Sequence, residues 1–162
     1  MKTWIEYKAT FPDAPDIFAC ARSGDLRGLA NLLQADPQLD LNQKNARGYS
    51  ALMLAVYHGQ ADFCEALLRA GVDVNSTDAM ENTVLMAAAF KGNKEIIELL
   101  IRYGANAERT NRSGMTAHDW AIAFGRKEIA AVLASRAGAP RATPRWKTWL
   151  RLLTLPFRRK SP

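Results

Sequence analysis

Three segments of this chain align with one another at a spacing of 33 residues, and no other feature restricts its fold so strongly. They begin at Asn45 (NARGYSALMLAVYHGQADFCEALLRAGVDVN), Asp78 (DAMENTVLMAAAFKGNKEIIELLIRYGANAE) and Asn111 (NRSGMTAHDWAIAFGRKEIAAVLASRAG). A weaker copy from Asp16 keeps a glycine at Gly24 and the Leu32-Leu33 pair, with two extra residues before Asn42. A fixed period of this length is the signature of a stacked array whose units each bury too little surface to stand alone.

Each unit reads as two short helices. Ser50, Thr83 and Thr116 precede apolar runs, where a hydroxyl accepts hydrogen bonds from the unpaired amides of a helix's first turn. The first helix is small-faced, as in Ala87-Ala88-Ala89, and is expected to end at Gly59, Gly92 or Gly125. A residue without a Cβ takes the left-handed geometry that closes a helix there. A second helix follows with apolar residues at helical spacing: Phe63, Leu67 and Leu68; Ile96, Leu99, Leu100 and Ile101; Ile129, Val132 and Leu133. It closes on Gly71 and Gly104, and an Asn/Asp/Gly-containing turn returns the chain to the next unit.

These residues resemble the ankyrin repeat over residues 16–138. The phrasing LMLAVYHG and LMAAAFKG resembles small stand-alone bacterial members of that family. The resemblance implies an all-α solenoid of about four helix-turn-helix units (16–44, 45–77, 78–110 and 111–138) joined by hairpin-like turns. An N-terminal capping segment (1–15) would precede it. The chain departs from the family's T-P-L-H-x-A signature, reading SALMLA, TVLMAA and TAHDWA. Met53, Met86 and Asp119 stand where histidine is usual, which implies that the family's histidine network is missing. His118 takes a leucine position and implies a looser final repeat.

Family members grip partners with the turn tips and the exposed edge of the first helix. Carried onto this chain, those positions are Ala46, Arg47, Tyr49, Tyr57 and His58; Ala79, Met80, Asn82, Phe90 and Lys91; and Arg112, Ser113, Met115 and Phe124. Tyr49, Tyr57, Met80, Phe90, Met115 and Phe124 are large and apolar where a merely solvated surface would be polar, so at least half are expected to face a partner. The resemblance implies a protein partner, a non-catalytic scaffold and a monomer; an accessory protein or inhibitor of a cognate enzyme is an alternative.

Charge separates a second part of the chain. Of a formal net charge of +6, residues 140–162 carry seven cations and no acid, so residues 1–139 are left at −1. From Gly138 the repeat pattern stops. Residues 139–162 read as a basic tail in which Thr143 and Pro144 start a helix and Pro156 stops it. Trp146, Trp149, Leu150 and Leu153 form its apolar stripe, while Lys147 and Arg151 lie toward another side and Arg158 and Arg159 follow. Three roles compete for the tail: a cap on the last repeat, an anchor on an anionic membrane surface that would make the protein a membrane-associated adaptor, and a docking segment for an acidic partner. Nucleic acid is disfavoured, because no fold for it is recognised.

Chemistry has little to work with. His58 and His118 have no serine or cysteine at a nucleophile spacing, and no phosphate loop, dinucleotide fingerprint or paired Cys/His set is present. No catalytic residue, cofactor or metal is therefore expected. Cys20 and Cys64 sit in apolar helical segments as small hydrophobes. The amino terminus lacks a continuous apolar stretch, and no run of about 18 apolar residues occurs. A cytoplasmic location is expected, with a peripheral place at the inner membrane face if the tail is an anchor.

Overall fold

The computed structural model describes residues 16–136. The expected N-terminal capping segment and the tail, with Trp146, Trp149, Leu150, Arg151, Leu153, Arg158 and Arg159, lie outside the described residues. Eight helices are described in four consecutive pairs: α1 (Ile17–Ser23) with α2 (Leu26–Ala35), α3 (Ala51–His58) with α4 (Ala61–Arg69), α5 (Val84–Lys91) with α6 (Lys94–Arg102), and α7 (Ala117–Ala123) with α8 (Lys127–Ala134). The array is an all-α repeat solenoid. Single antiparallel bridges, Lys44 to Ser50 and Thr77 to Thr83, close two of the turns between pairs.

The first helices α1, α3, α5 and α7 pack on one another along the stack more extensively than the second helices do. Their side chains explain it. Ala21, Ala55, Ala88, Ala89 and Ala121 are fully buried, and a methyl group lets neighbouring helix axes approach closely. The second helices contribute the larger apolar residues, with Phe63, Leu67, Ile96, Ile97, Leu100 and Leu133 each less than 2% exposed. The core is one continuous cluster running through all four pairs. Cys20 and Cys64 are free thiols inside it, and burial pushes the Cys64 thiol up to about 12.

The expected caps are in place. Ser50, Thr83 and Thr116 accept from the backbone N–H three residues on, each at 3.2 Å. α3 and α5 close on Gly59 and Gly92, at φ 73° and 77°. The last first-helix differs from expectation by one residue. α7 ends at Ala123, Phe124 leaves helical geometry at φ −98°, and Gly125 takes the left-handed conformation after it.

The positions that usually carry histidine are filled by two other solutions. Met86 offers its thioether to the Thr83 N–H at 3.4 Å. In the last repeat the Asp119 carboxylate accepts from the Thr116 N–H at 3.0 Å and from the Thr116 hydroxyl at 2.8 Å. Asp119 is only 8% exposed, so the carboxyl group that stands at the histidine position is engaged by the helix cap rather than by water. His118, in register with the fully buried Leu52 and Leu85, is partly exposed.

Candidate functional site: an aromatic ribbon across the repeats

The turns that precede the first helices are built on one side chain each. Asn45 Oδ1 accepts from the N–H of Arg47 and Tyr49, Asp78 Oδ1 from Met80 and Asn82, and Asn111 Oδ1 from Ser113 and Met115, all between 2.8 and 3.0 Å. An acceptor two and four residues upstream pins both ends of a tight tip. Adjacent tips are then stitched together where Asn111 Nδ2 donates to Asn82 Oδ1 at 2.7 Å, while Asn82 Nδ2 is held within its own tip by Asp78 Oδ2 at 2.9 Å. Gly48, Glu81 and Gly114 occupy the same place in successive tips, all with positive φ (78°, 63° and 72°).

These rigid tips and the ends of the first helices carry a row of rings. Tyr49 meets Tyr57 at 5.9 Å between centroids, Tyr57 meets Phe90 at 6.4 Å, and Phe90 meets Phe124 at 4.6 Å, each edge to face. Trp120 completes the row, 6.2 Å from Phe90 and 5.5 Å from Phe124. Edge-to-face contact is the arrangement that the ring quadrupole favours. The result is one aromatic ribbon spanning three repeats.

The ribbon brings together Tyr49, Tyr57, Phe90 and Phe124 of the residues singled out in sequence. Met80 at a neighbouring tip is 54% exposed and Phe124 is 48% exposed. Tyr49, Tyr57 and Phe90 are half-buried, each ring in the row covering part of the next, and Met115 is half-buried as well. Two of the six large apolar residues thus stand fully open, and the other four are partly so. Burial, helped by Tyr49 and Asp78 nearby, raises the Tyr57 phenol above its ordinary value, so its hydroxyl remains a neutral donor and acceptor. Arg47, His58 and Lys91 are exposed. Arg112 is exposed and pairs loosely with Glu81 at 3.4 Å. Asn82 has both polar atoms engaged by the turns, so its place is inside the framework of the tips.

Sequence reasoning missed Trp120. It stands in register with Leu54 and Ala87, both buried, and so reads as a packing position; only its size in a column that otherwise holds leucine and alanine signals a different use. Its indole N–H is the one buried side-chain polar atom among the described residues without a hydrogen-bond partner. Also unread were two links along the stack: Gln60 Nε2 donates to the Arg22 carbonyl at 3.0 Å, and Arg126 Nε to the Phe90 carbonyl at 3.2 Å. Neither residue caps its own helix; each ties a second helix to the end of the preceding repeat's first helix. The Arg126 link holds the backbone of the residue at the centre of the ribbon.

Among the described residues no three His, Cys, Asp or Glu side chains converge as a metal site requires, and no helix is long and apolar enough to cross a membrane. In comparison with known proteins, the family model for ankyrin repeats (3 copies) matches residues 17–111 and 52–142. No curated protein matches the chain.

Proposed function

The chain belongs to the ankyrin-repeat family, and from that premise we propose that it is a non-catalytic scaffold that holds a partner protein on the face formed by its turn tips and first helices. Ankyrin repeats are in general protein–protein interaction modules. The observation that carries the reading is the ribbon from Tyr49 to Phe124. Aromatic side chains offer wide contact area at small cost in conformational entropy, and they dominate the energetics of interfaces. Here they are braced by one another and by hydrogen-bonded tips, so little ordering remains to be done on binding. The exposed Arg47, His58 and Lys91 suit a partner that combines apolar side chains with carboxylates, whose charges would steer its approach.

Photo-crosslinking tests this face. A photoreactive residue at Met80 or Lys91 is expected to cross-link one partner protein in native cell extract, and the same residue at Glu98 on α6 is not. Cross-linking from Glu98 alone would move the binding face to the second helices.

A further inference from the structure

Gln60, Asn93 and Arg126 hold the same place in successive repeats, and they use it differently. The Gln60 amide lies over Gly24 and bonds the Arg22 carbonyl. Asn93 turns to its own helix and accepts from the Ile96 N–H at 3.1 Å. Arg126 repeats the Gln60 link with Nε alone, at 3.2 Å from the Phe90 carbonyl. Its stem crosses Gly92 so closely that a Cβ there would meet Arg126 Cδ at 3.0 Å. An amide thus suffices for the link, and the arginine adds a charge that the link does not need.

That charge is unspent. Arg126 is exposed, and its two terminal nitrogens donate to nothing among the described residues. Lys91, between the two points that Arg126 touches, is exposed as well. The two ion pairs of the described residues, Arg69 with Glu65 and Arg112 with Glu81, use neither cation. Glu95 and Glu128, in the first turns of α6 and α8, pair with neither, and Asp78 is occupied by three bonds within its tip. Two residues before Arg126 stands Phe124, the 48% exposed ring at the end of the ribbon.

We propose that Arg126 is a carboxylate anchor: its free fork takes an aspartate or glutamate side chain of the partner protein, beside an apolar side chain that rests on Phe124. This builds on the ribbon as the partner's seat. A guanidinium offers paired N–H groups that match the two oxygens of a carboxylate. With Nε already fixed, the side chain has less rotamer freedom to lose on binding. Lys91 supplies a second positive charge to draw the same group in.

Selection of random dodecapeptides displayed on phage against the full chain tests this. Enriched peptides are expected to carry Asp or Glu beside a large apolar residue. Arg126→Gln can keep the Phe90 link as Gln60 keeps its own, yet it should bind the best such peptide about ten- to a hundredfold more weakly. Changing the peptide's acid to its amide should weaken binding to the native chain by the same factor and to Arg126→Gln hardly at all. Enriched peptides without an acid, or no enrichment, would overturn the anchor. So would an acid-to-amide loss equal on both chains, which would leave Arg126 a structural link only. Tyr57→Ala with Phe90→Ala scores the ribbon separately. Acid-free peptides lost from that variant would sink the anchor and keep the ribbon; acid-dependent peptides that bind it like the native chain would keep the anchor and sink the ribbon.

Discussion

The ring of Phe124 stands edge on to that of Phe90, 4.6 Å between centroids and 83° between planes, although the two residues belong to different repeats. In strict register Phe90 is followed by Ala123, so this contact exists because the chain leaves α7 one residue early and turns the next side chain back along the stack. A double-mutant cycle on Phe90→Ala and Phe124→Ala, read by urea unfolding, is expected to give a coupling of about 0.5–1.5 kcal/mol. Simple additivity would show that the rings are neighbours without interacting.

Glu81 holds φ 63° where the equivalent tips have Gly48 and Gly114. A side chain with a Cβ is strained there, at about 1–2 kcal/mol, against which glycine loses about 0.5–1 kcal/mol of chain entropy on folding. The ion pair to Arg112 is exposed and adds little. Glu81→Gly is therefore expected to raise the unfolding free energy by about 0.5–1 kcal/mol, seen as a higher urea midpoint at unchanged slope. A lower midpoint would mean that the turn relies on Glu81 in some other way.

Asp119 is nearly buried and takes both donors of Thr116. Asp119→Ala leaves the Thr116 N–H and hydroxyl without that acceptor and is expected to cost about 1–3 kcal/mol. Asp119→Asn keeps an acceptor oxygen and should lose less than half as much. Equal losses in thermal unfolding would indicate that the charge, not the acceptor, is what the cap uses.

Cys64 gives the stability a dependence on pH with a definite sign. Its thiol is raised to about 12 in the folded chain by burial, and unfolding returns it to about 8.5. Its contribution is thus whole below the lower value and is lost as pH rises through the higher one. Between pH 9 and 11 the unfolding free energy of the native chain should fall more steeply than that of Cys64→Val. Parallel slopes would place the thiol in contact with water.

Much of the fold was legible in the sequence because its determinants are local. Ser50, Thr83 and Thr116 act within one helical turn, and Gly59 and Gly92 within one residue, so residue type and spacing suffice to read them. The ribbon was legible in part, since Tyr57 and Phe90 recur at the repeat period. What escaped depends on contacts between repeats. Asn82 reads as an exposed tip until Asn111, 29 residues on, is seen to bond it. Trp120 reads as core until Phe90 and Phe124 are found beside it. Gln60 and Arg126 look like poor helix caps because their partners are carbonyls 38 and 36 residues earlier.

The central claim is that the ribbon binds the partner, and calorimetric titration of the cross-linked partner, once purified, tests it most directly. Tyr57→Ala with Phe90→Ala is expected to weaken binding at least a hundredfold, as loss of more than one interface anchor does, while the helical circular dichroism stays intact. Glu65→Ala with Glu98→Ala, on the second helices, should bind like the native chain. Undiminished affinity in the Tyr57 and Phe90 variant, with its helices preserved, would contradict the account.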